Sequence, residues 1–198
     1  MNPFSLCSYT QARLLIEQGE LLIYPTETYY ALGTALSSPH KEDIYRVKER
    51  PYNKPLPLIV HSIEQATHFT LLSSQAKELM TYFPHLTVIV PSCTPYMNTD
   101  TIAIRRATTP LLTYLTQNTP LIATSANRSN HPAVASYTDL DSSLTSIIPV
   151  CLPACKEDTP QGKAPSTIIT LQNDNIHIIR QGTITKEELS LFYKRTQR

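Results

Sequence analysis

Short apolar runs bounded by Pro, Asn and Ser alternate along this chain with stretches whose apolar residues recur every three or four positions. That alternation is the mark of an α/β fold, with buried strands between amphipathic helices. Ala12, Leu15 and Ile16 share a face and predict a helix over about Thr10 to Gln18, with Gly19 where a left-handed residue closes a helix. The strand Leu21 to Tyr24 follows, ended by Pro25. Ser38 as N-cap and Pro39 at the first helical position predict a second helix burying Ile44, Tyr45 and Val47, which Pro51 stops. Further strands are expected at Leu56 to His61, Leu86 to Val90, Ile102 to Arg105, Leu121 to Thr124 and Ile147 to Leu152. Helices are expected at Ser74 to Phe83, from Thr109-Pro110 through about Gln117, and weakly over Tyr137 to Leu144. Thr167 to Leu171 and Ile176 to Ile179 read as an antiparallel hairpin around Asn173, Asp174 and Asn175. Thr185 with Glu188 three positions on is a capping box for a last helix burying Leu189 and Phe192, with Lys194, Arg195 and Arg198 in a frayed basic tail. The pattern totals seven or eight strands and five helices in one open, twisted, mixed parallel and antiparallel sheet flanked by helices. A single domain over residues 1–198 is expected, its core about 8–184.

Composition narrows the chemistry. The 198 residues hold 4 glycines against 16 prolines, and Gly19, Gly33, Gly162 and Gly182 are far apart. A dinucleotide fingerprint or a P-loop needs two or three glycines within about eight residues, so backbone N–H cradles for phosphate are excluded. A phosphate held here is gripped by Lys, Arg, Ser and Thr side chains or by a helix N-terminus without glycine. The hydrophobic fraction of 41% builds one core, and the net charge of +1 is far from the basic excess of a dedicated nucleic-acid binder. No apolar run reaches membrane-spanning length and the N-terminus lacks a leader pattern, so a soluble cytoplasmic protein is expected. Cys7, Cys93, Cys151 and Cys155 are expected as free buried thiols, because one closely spaced pair without a second pair or a nearby His does not make a zinc site.

Three clusters carry candidate chemistry, each where a strand or helix ends. Pro25 to Gly33 packs hydroxyls and a carboxylate into a turn, and alone it reads equally as a polar loop. In Lys48-Glu49-Arg50-Pro51, Pro51 disfavours helix at Arg50, so the helix ends near Lys48 and Arg50 swings to the same side, with Lys54 close behind. This pair of cations suits a triphosphate, though a solvated helix end reads the same way. After the strand at Leu121, an extended Ser125 and Asn127 point to one face about 7 Å apart. Arg105 and Arg180 end apolar strands, and Ser166-Thr167 follows the one extended polar loop, Lys156 to Pro165, of the length that lids often have.

In this order the clusters resemble the YrdC/Sua5 family. The matching pieces are Pro25-Thr26-Glu27-Thr28, Lys48-x-Arg50-Pro51 with Lys54-Pro55-Leu56, Leu86-Thr87-x-x-x-Pro91, Ala103-Ile104-Arg105, Thr124-Ser125-Ala126-Asn127, Pro165-Ser166-Thr167-Ile168 and Arg180-x-Gly182. The resemblance implies the single-domain YrdC-like form and an L-threonylcarbamoyladenylate synthase, a nucleotidyltransferase. L-threonine and bicarbonate form a carbamate that attacks the α-phosphate of ATP, giving threonylcarbamoyl-AMP and pyrophosphate for N6-threonylcarbamoyladenosine in tRNA. It further implies that Lys48, Arg50, Ser125, Asn127, Ser166, Thr167 and Arg180 bind ATP, with Lys48 and Arg50 catalytic. Thr28, His61 and Arg105 would bind threonine, Arg105 taking the carboxylate. Mg2+ would ride mainly on the ATP phosphates with no metal site of the protein's own. A downstream threonylcarbamoyl transferase complex would be the partner, with weak tRNA contact and no membrane. Departures from the family pattern are Ala31 for glycine, Tyr82-Phe83-Pro84-His85 for Trp-Pro-Gly-Pro, Ala107 and Thr109 for Pro and His, and Asn130 for glycine. Two other readings stay open: a non-catalytic RNA-binding module of this fold, and a paralogue acting on another small molecule.

Overall fold

The structure, a computed structural model, describes residues 6–172 and 175–196. Its strands are β1 (Leu6–Cys7), β2 (Leu22–Pro25), β3 (Tyr30–Ala35), β4 (Leu58–Val60), β5 (Thr87–Tyr96), β6 (Thr99–Arg106), β7 (Leu121–Ser125), β8 (Val150–Cys151), β9 (Ile168–Gln172) and β10 (Asn175–Arg180). The helices are α1 (Tyr9–Glu17), α2 (Asp43–Lys48), α3 (Ile63–Ala66), α4 (Ser74–Tyr82), α5 (Pro110–Thr116), α6 (Ser142–Thr145) and α7 (Lys186–Thr196). All ten strands form one sheet in the order β1-β8-β2-β3-β7-β4-β6-β5-β9-β10. It is mixed, as expected: β1–β8, β2–β8, β4–β6 and β5–β9 are parallel and the remaining pairs antiparallel.

Both faces of the sheet are covered, which is why its central strands read as unbroken apolar runs. Successive residues of β4 part company: Leu58 and Val60 join the larger core with Val88, Ile104 and Ile122, closed by Ile44 and Tyr45 of α2, Leu79 and Met80 of α4, and Leu189 and Phe192 of α7. Ile59 faces the other way, with Leu22, Tyr24, Ala31 and Ala123, under Ile16 of α1 and Leu111, Leu112 and Leu115 of α5. The Thr109 cap and the Thr185–Glu188 capping box form where the sequence places them. The Thr109 hydroxyl accepts from Leu112 N at 3.2 Å, and Thr185 and Glu188 cap one another's backbone N–H groups at 2.7 and 3.2 Å.

Several expectations are corrected. The second helix begins at Asp43, because the Ser38 hydroxyl accepts from His40 N at 2.9 Å and donates to Gly19 O, folding a turn instead of starting a helix. Tyr30 to Ala35 is a fully buried strand between β2 and β7 and not part of a loop. β5 and β6 are longer than their apolar runs, closing through Met97 (φ 48°) and Asn98 (φ 62°) in the left-handed pair that suits a two-residue hairpin. The weak helix over 137–144 divides into a single 3-10 turn at Tyr137–Asp139 and the short α6. Cys93 is exposed, whereas Cys151 is buried and Cys7 and Cys155 half-buried, all four as free thiols. The β9–β10 hairpin forms as expected; Asn173 and Asp174 lie outside the described residues, as does Arg198, while α7 carries the backbone of Lys194 and Arg195. No helix among the described residues is long and apolar enough to cross a membrane.

Gly33 shows how tightly β3 is packed. A Cβ there would stand 2.5 Å from both Ile122 O and the Tyr24 hydroxyl. Gly33→Ala is expected to destabilise the chain by about 2–3 kcal/mol through overpacking against backbone that cannot yield. Urea unfolding would show it as a lowered midpoint at unchanged slope.

Candidate functional site

The β2–β3 connection, Thr26 to Tyr29, is a tight turn organised by one hydroxyl. Thr26 Oγ1 donates to Tyr29 O at 2.7 Å, accepts from Thr28 N at 3.2 Å and Tyr29 N at 3.3 Å, and stands 3.1 Å from Thr28 Oγ1. Such side-chain to backbone bonds hold a turn without glycine. They leave the Glu27 carboxylate facing β6. Arg105 donates a terminal guanidinium nitrogen to Glu27 Oε1, Thr108 donates to Oε2 at 3.1 Å, and His85 Nδ1 stands 3.4 Å from Oε1. Burial alone would push this carboxyl up, but the Arg105 charge and His85 outweigh it and hold it down at about 2. In register Arg105 lies beside Ile59, which in turn lies beside Leu121, away from the Ser125 end of β7. Its ion pair with Glu27 is what brings its guanidinium to the turn.

The cationic pair forms at the end of α2. Glu49 takes the left-handed conformation (φ 53°) and stops the helix directly after Lys48. Lys48 is 2% exposed and its Nζ donates to the backbone carbonyls of Ser125 and Asn127, with Asn127 Oδ1 at 3.5 Å. The half-buried Arg50 spans the next loop, donating to Lys54 O at 3.1 Å and Pro55 O at 3.2 Å. Burial, and secondly the charge of Arg50, push the Lys48 ammonium down to about 8. Lys48, Arg50, Ser125 and Asn127 are thus brought together; Lys54 is exposed and contributes its carbonyl. The extended Ser125–Asn127 segment is corrected: β7 ends at Ser125, Asn127 N turns back on Ser125 O at 3.0 Å, and its amide donates to Arg128 O at 2.8 Å and His131 O at 2.6 Å. Ser125 Oγ takes no partner among the described residues. Ala31 lies opposite Ser125 in the β3–β7 ladder, so the Thr26–Tyr29 turn and the Lys48 cluster share one end of the sheet. Asn130, at φ 67°, takes the left-handed conformation that glycine and asparagine tolerate best.

A third set closes the late hairpin. Arg180 donates through Nε and a terminal nitrogen to Ser166 O at 3.2 and 2.8 Å and to Ser166 Oγ at 3.1 Å. Burial and then the charge of Arg105 lower the Arg180 pKa. Thr167 is fully buried; its hydroxyl donates to Ile184 O at 2.7 Å and accepts from Gly182 N at 3.0 Å and Ile184 N at 2.9 Å. Thr167 therefore clasps the turn after β10 with its bonding capacity filled, while Ser166 stays with Arg180. His61 Nδ1 stands 3.1 Å from Thr113 O of α5, and its backbone N–H donates to Gln65 Oε1. The polar loop before Ser166 is docked. Gln161 N and Gly162 N donate to Glu27 O and Thr28 O at 3.1 and 2.9 Å, and the buried Asp158 accepts from Leu111 N at 2.9 Å and from the Tyr9 hydroxyl. Glu27, His85, Thr108 and Asp158 were not among the predicted site residues. Only Glu27 carried a signal, as a carboxylate in a turn dense with hydroxyls; its partners lie far along the chain.

The model of the family Sua5_yciO_yrdC, described as telomere recombination, matches residues 14–182. The chain belongs to this family. A threonylcarbamoyl-AMP synthase of Bacillus subtilis strain 168 is 32% identical over 197 residues, covering 90% of this chain and 54% of the relative. A putative threonylcarbamoyl-AMP synthase of Methanocaldococcus jannaschii is 28% identical over 183 residues, covering 88% and 86%. The crystal structure of Pyrococcus abyssi Sua5 complexed with L-threonine superposes with a TM-score of 0.82 at 26% identity, over 92% of this chain and 56% of that one. The chain thus spans about half the length of the B. subtilis relative and of the P. abyssi protein. Escherichia coli YciO, at 19% identity and a TM-score of 0.77, shares the fold. Apart from Tyr9 and Ile184, the positions assembled above fall within the part matched to the Sua5/YciO/YrdC family.

The Glu27 pairing has a pH signature. A carboxyl lowered from 4.5 to about 2 stabilises the fold fully above pH 4.5 and loses that contribution, up to about 3 kcal/mol, as pH falls towards 2. The stability difference between wild type and Glu27→Gln, from urea unfolding at pH 7 and at pH 3, is expected to shrink at the lower pH.

Proposed function

We propose that this chain is a threonylcarbamoyl-AMP synthase that couples L-threonine, bicarbonate and ATP in the cytoplasm. The observation that carries the reading is the meeting, at one end of the sheet, of a cation cluster of phosphate-binding type with a buried arginine beside a threonine-lined turn. Lys48 and Arg50, backed by Ser125 and Asn127, offer charge to a triphosphate; Thr28 and Arg105 offer a hydroxyl and a guanidinium to an amino acid. Relatives bearing the synthase name, and a family structure holding L-threonine, support it.

The chemistry fits such a site. The threonine amine and bicarbonate lose water to form a carbamate, whose oxygen attacks the α-phosphorus of ATP and expels pyrophosphate. Negative charge spreads over phosphate oxygens in the transition state, so preplaced cations accelerate the step and no covalent nucleophile is needed. Arg105 receives the threonine carboxylate and holds the amine towards the phosphates. Ser166 and Arg180 border the nucleotide, and Thr167 supports them from behind. Mg2+ enters as part of the substrate, on the ATP phosphates; among the described residues no cluster of three or more His, Cys, Asp or Glu is placed to hold a metal ion. The mixed anhydride produced is consumed by a transferase that carries the threonylcarbamoyl group to tRNA.

Incubating the purified chain with all three substrates is expected to release pyrophosphate and yield threonylcarbamoyl-AMP by mass spectrometry. ATP turnover that ignores threonine would sink the reading. Dependence on a different amino acid would make the chain a paralogue, and salt-steep RNA binding without threonine binding would make it an RNA-binding module. Lys48→Ala and Arg50→Ala are each expected to lower kcat/KM by about 100-fold.

Lys48 adds a pH test. Its ammonium is charged below about 8, so kcat/KM for ATP is expected to fall as pH rises through that value. Bound phosphates favour the charged form, so the same limb in kcat moves to higher pH.

A further inference from the structure

Arg105 is 7% exposed, one terminal nitrogen is committed to Glu27, and its buried Nε has no partner among the described residues. The guanidinium therefore keeps a donor for a second acceptor while Glu27 holds it in place. Glu27 is held in turn: Thr108 binds its far oxygen at 3.1 Å, and His85, half-exposed in the turn before β5, stands 3.4 Å from the near one. The backbone of the same residue accepts Gln161 N at 3.1 Å, so the turn is fixed from both sides.

We propose that Glu27 and His85 are positioning residues for the amino-acid substrate: Glu27 aims the Arg105 guanidinium at the Thr28 turn, and His85 with Thr108 fixes Glu27. The inference rests on the proposed function, in which Arg105 receives the threonine carboxylate. It does not follow from charge alone, because an ionised Glu27 neutralises Arg105 and repels an incoming carboxylate. If Glu27 acted only through its charge, removing that charge would tighten threonine binding. If it aims Arg105, removal loosens binding although the site becomes more positive. The two roles predict effects of opposite sign.

The experiment is calorimetric titration of L-threonine into wild type, Glu27→Gln, His85→Ala, His85→Gln and Thr108→Val, paired with KM values for L-threonine and ATP. Glu27→Gln is expected to raise Kd and KM for L-threonine about tenfold or more, the loss of one charge-assisted hydrogen bond. The KM for ATP should stay within about twofold and kcat should change less than the threonine KM. His85→Ala should weaken threonine binding by about threefold, with His85→Gln recovering part of it by keeping an N–H donor at that position. A general loss of structure would move both substrates together. Should Glu27→Gln fail to fold, Thr108→Val and His85→Ala, each removing one support of the carboxylate, carry the same expectation. Threonine affinity that is unchanged or tighter across these variants, in a wild type that binds threonine, overturns the positioning role and leaves the proposed function standing. A wild type that neither binds nor consumes threonine overturns both.

Discussion

The ion pair between Glu27 and Arg105 is the constraint on which the arrangement of the site depends. Strand register sets Arg105 level with Ile59 and Leu121, whereas Thr28 and Ser125 lie at the other end of β7. Without a partner in the β2–β3 turn, a buried guanidinium at that position would be uncompensated. Burying two charges is costly, and such a pair is weak evidence of stability in itself, but removing one partner leaves the other charged in a dry interior. Here the burden is shared, since Thr108 and His85 add contacts to the carboxylate. The pair therefore fixes geometry as well as stabilising the fold, joining the β2–β3 turn to β6, which are not neighbours in the sheet.

Lys48 solves a similar problem by other means. Its ammonium faces carbonyl oxygens and pairs with no carboxylate among the described residues, so the cluster keeps its positive charge available to an anion. The carbonyls of Ser125 and Asn127 supply the solvation that burial removes, though not all of it, which is why the ammonium titrates near 8. A chain with 4 glycines cannot wrap backbone N–H groups around phosphate, and this is the compensating arrangement: a lysine threaded from one helix end into the turn after a strand.

Much of this was legible in order along the chain. Pro51 set the end of α2, Thr109 and the Thr185–Glu188 pair set helix starts, and the buried strands announced themselves as apolar runs. β3 did not, because Ala31, Gly33, Thr34 and Ala35 are small residues chosen by close packing, as the contacts around Gly33 show, and small residues carry no hydrophobic period. The extended tips of β5 and β6 were hidden by polar residues and prolines at a sheet margin, where alternation fades. The cation cluster was legible because Lys48 and Arg50 are close in sequence. Glu27 with Arg105, and Asp158 with Tyr9 and Leu111, were not, since each joins segments whose meeting only the sheet order determines.

The family motifs, too, divide by what the side chains do. Arg180 and Gly182 both act on the segment Pro165 to Thr167: the guanidinium binds Ser166 O, and a Cβ at Gly182 would stand 2.6 Å from Thr167 N. Thr167 completes the clasp from inside. The Arg-x-Gly and Pro-Ser-Thr pieces are therefore one structural unit, in which close approach of two backbones is as necessary as the arginine. The docked loop before it belongs to the same unit. Asp158 anchors one end on α5, the clasp anchors the other, and Gln161 and Gly162 in between bind the backbone of Glu27 and Thr28. The segment is tied at three points, and its middle contact lies on the turn that carries Glu27 and Thr28. Displacing the loop would break its bonds to that turn's backbone, so the loop and the turn whose Glu27 holds Arg105 are braced against one another.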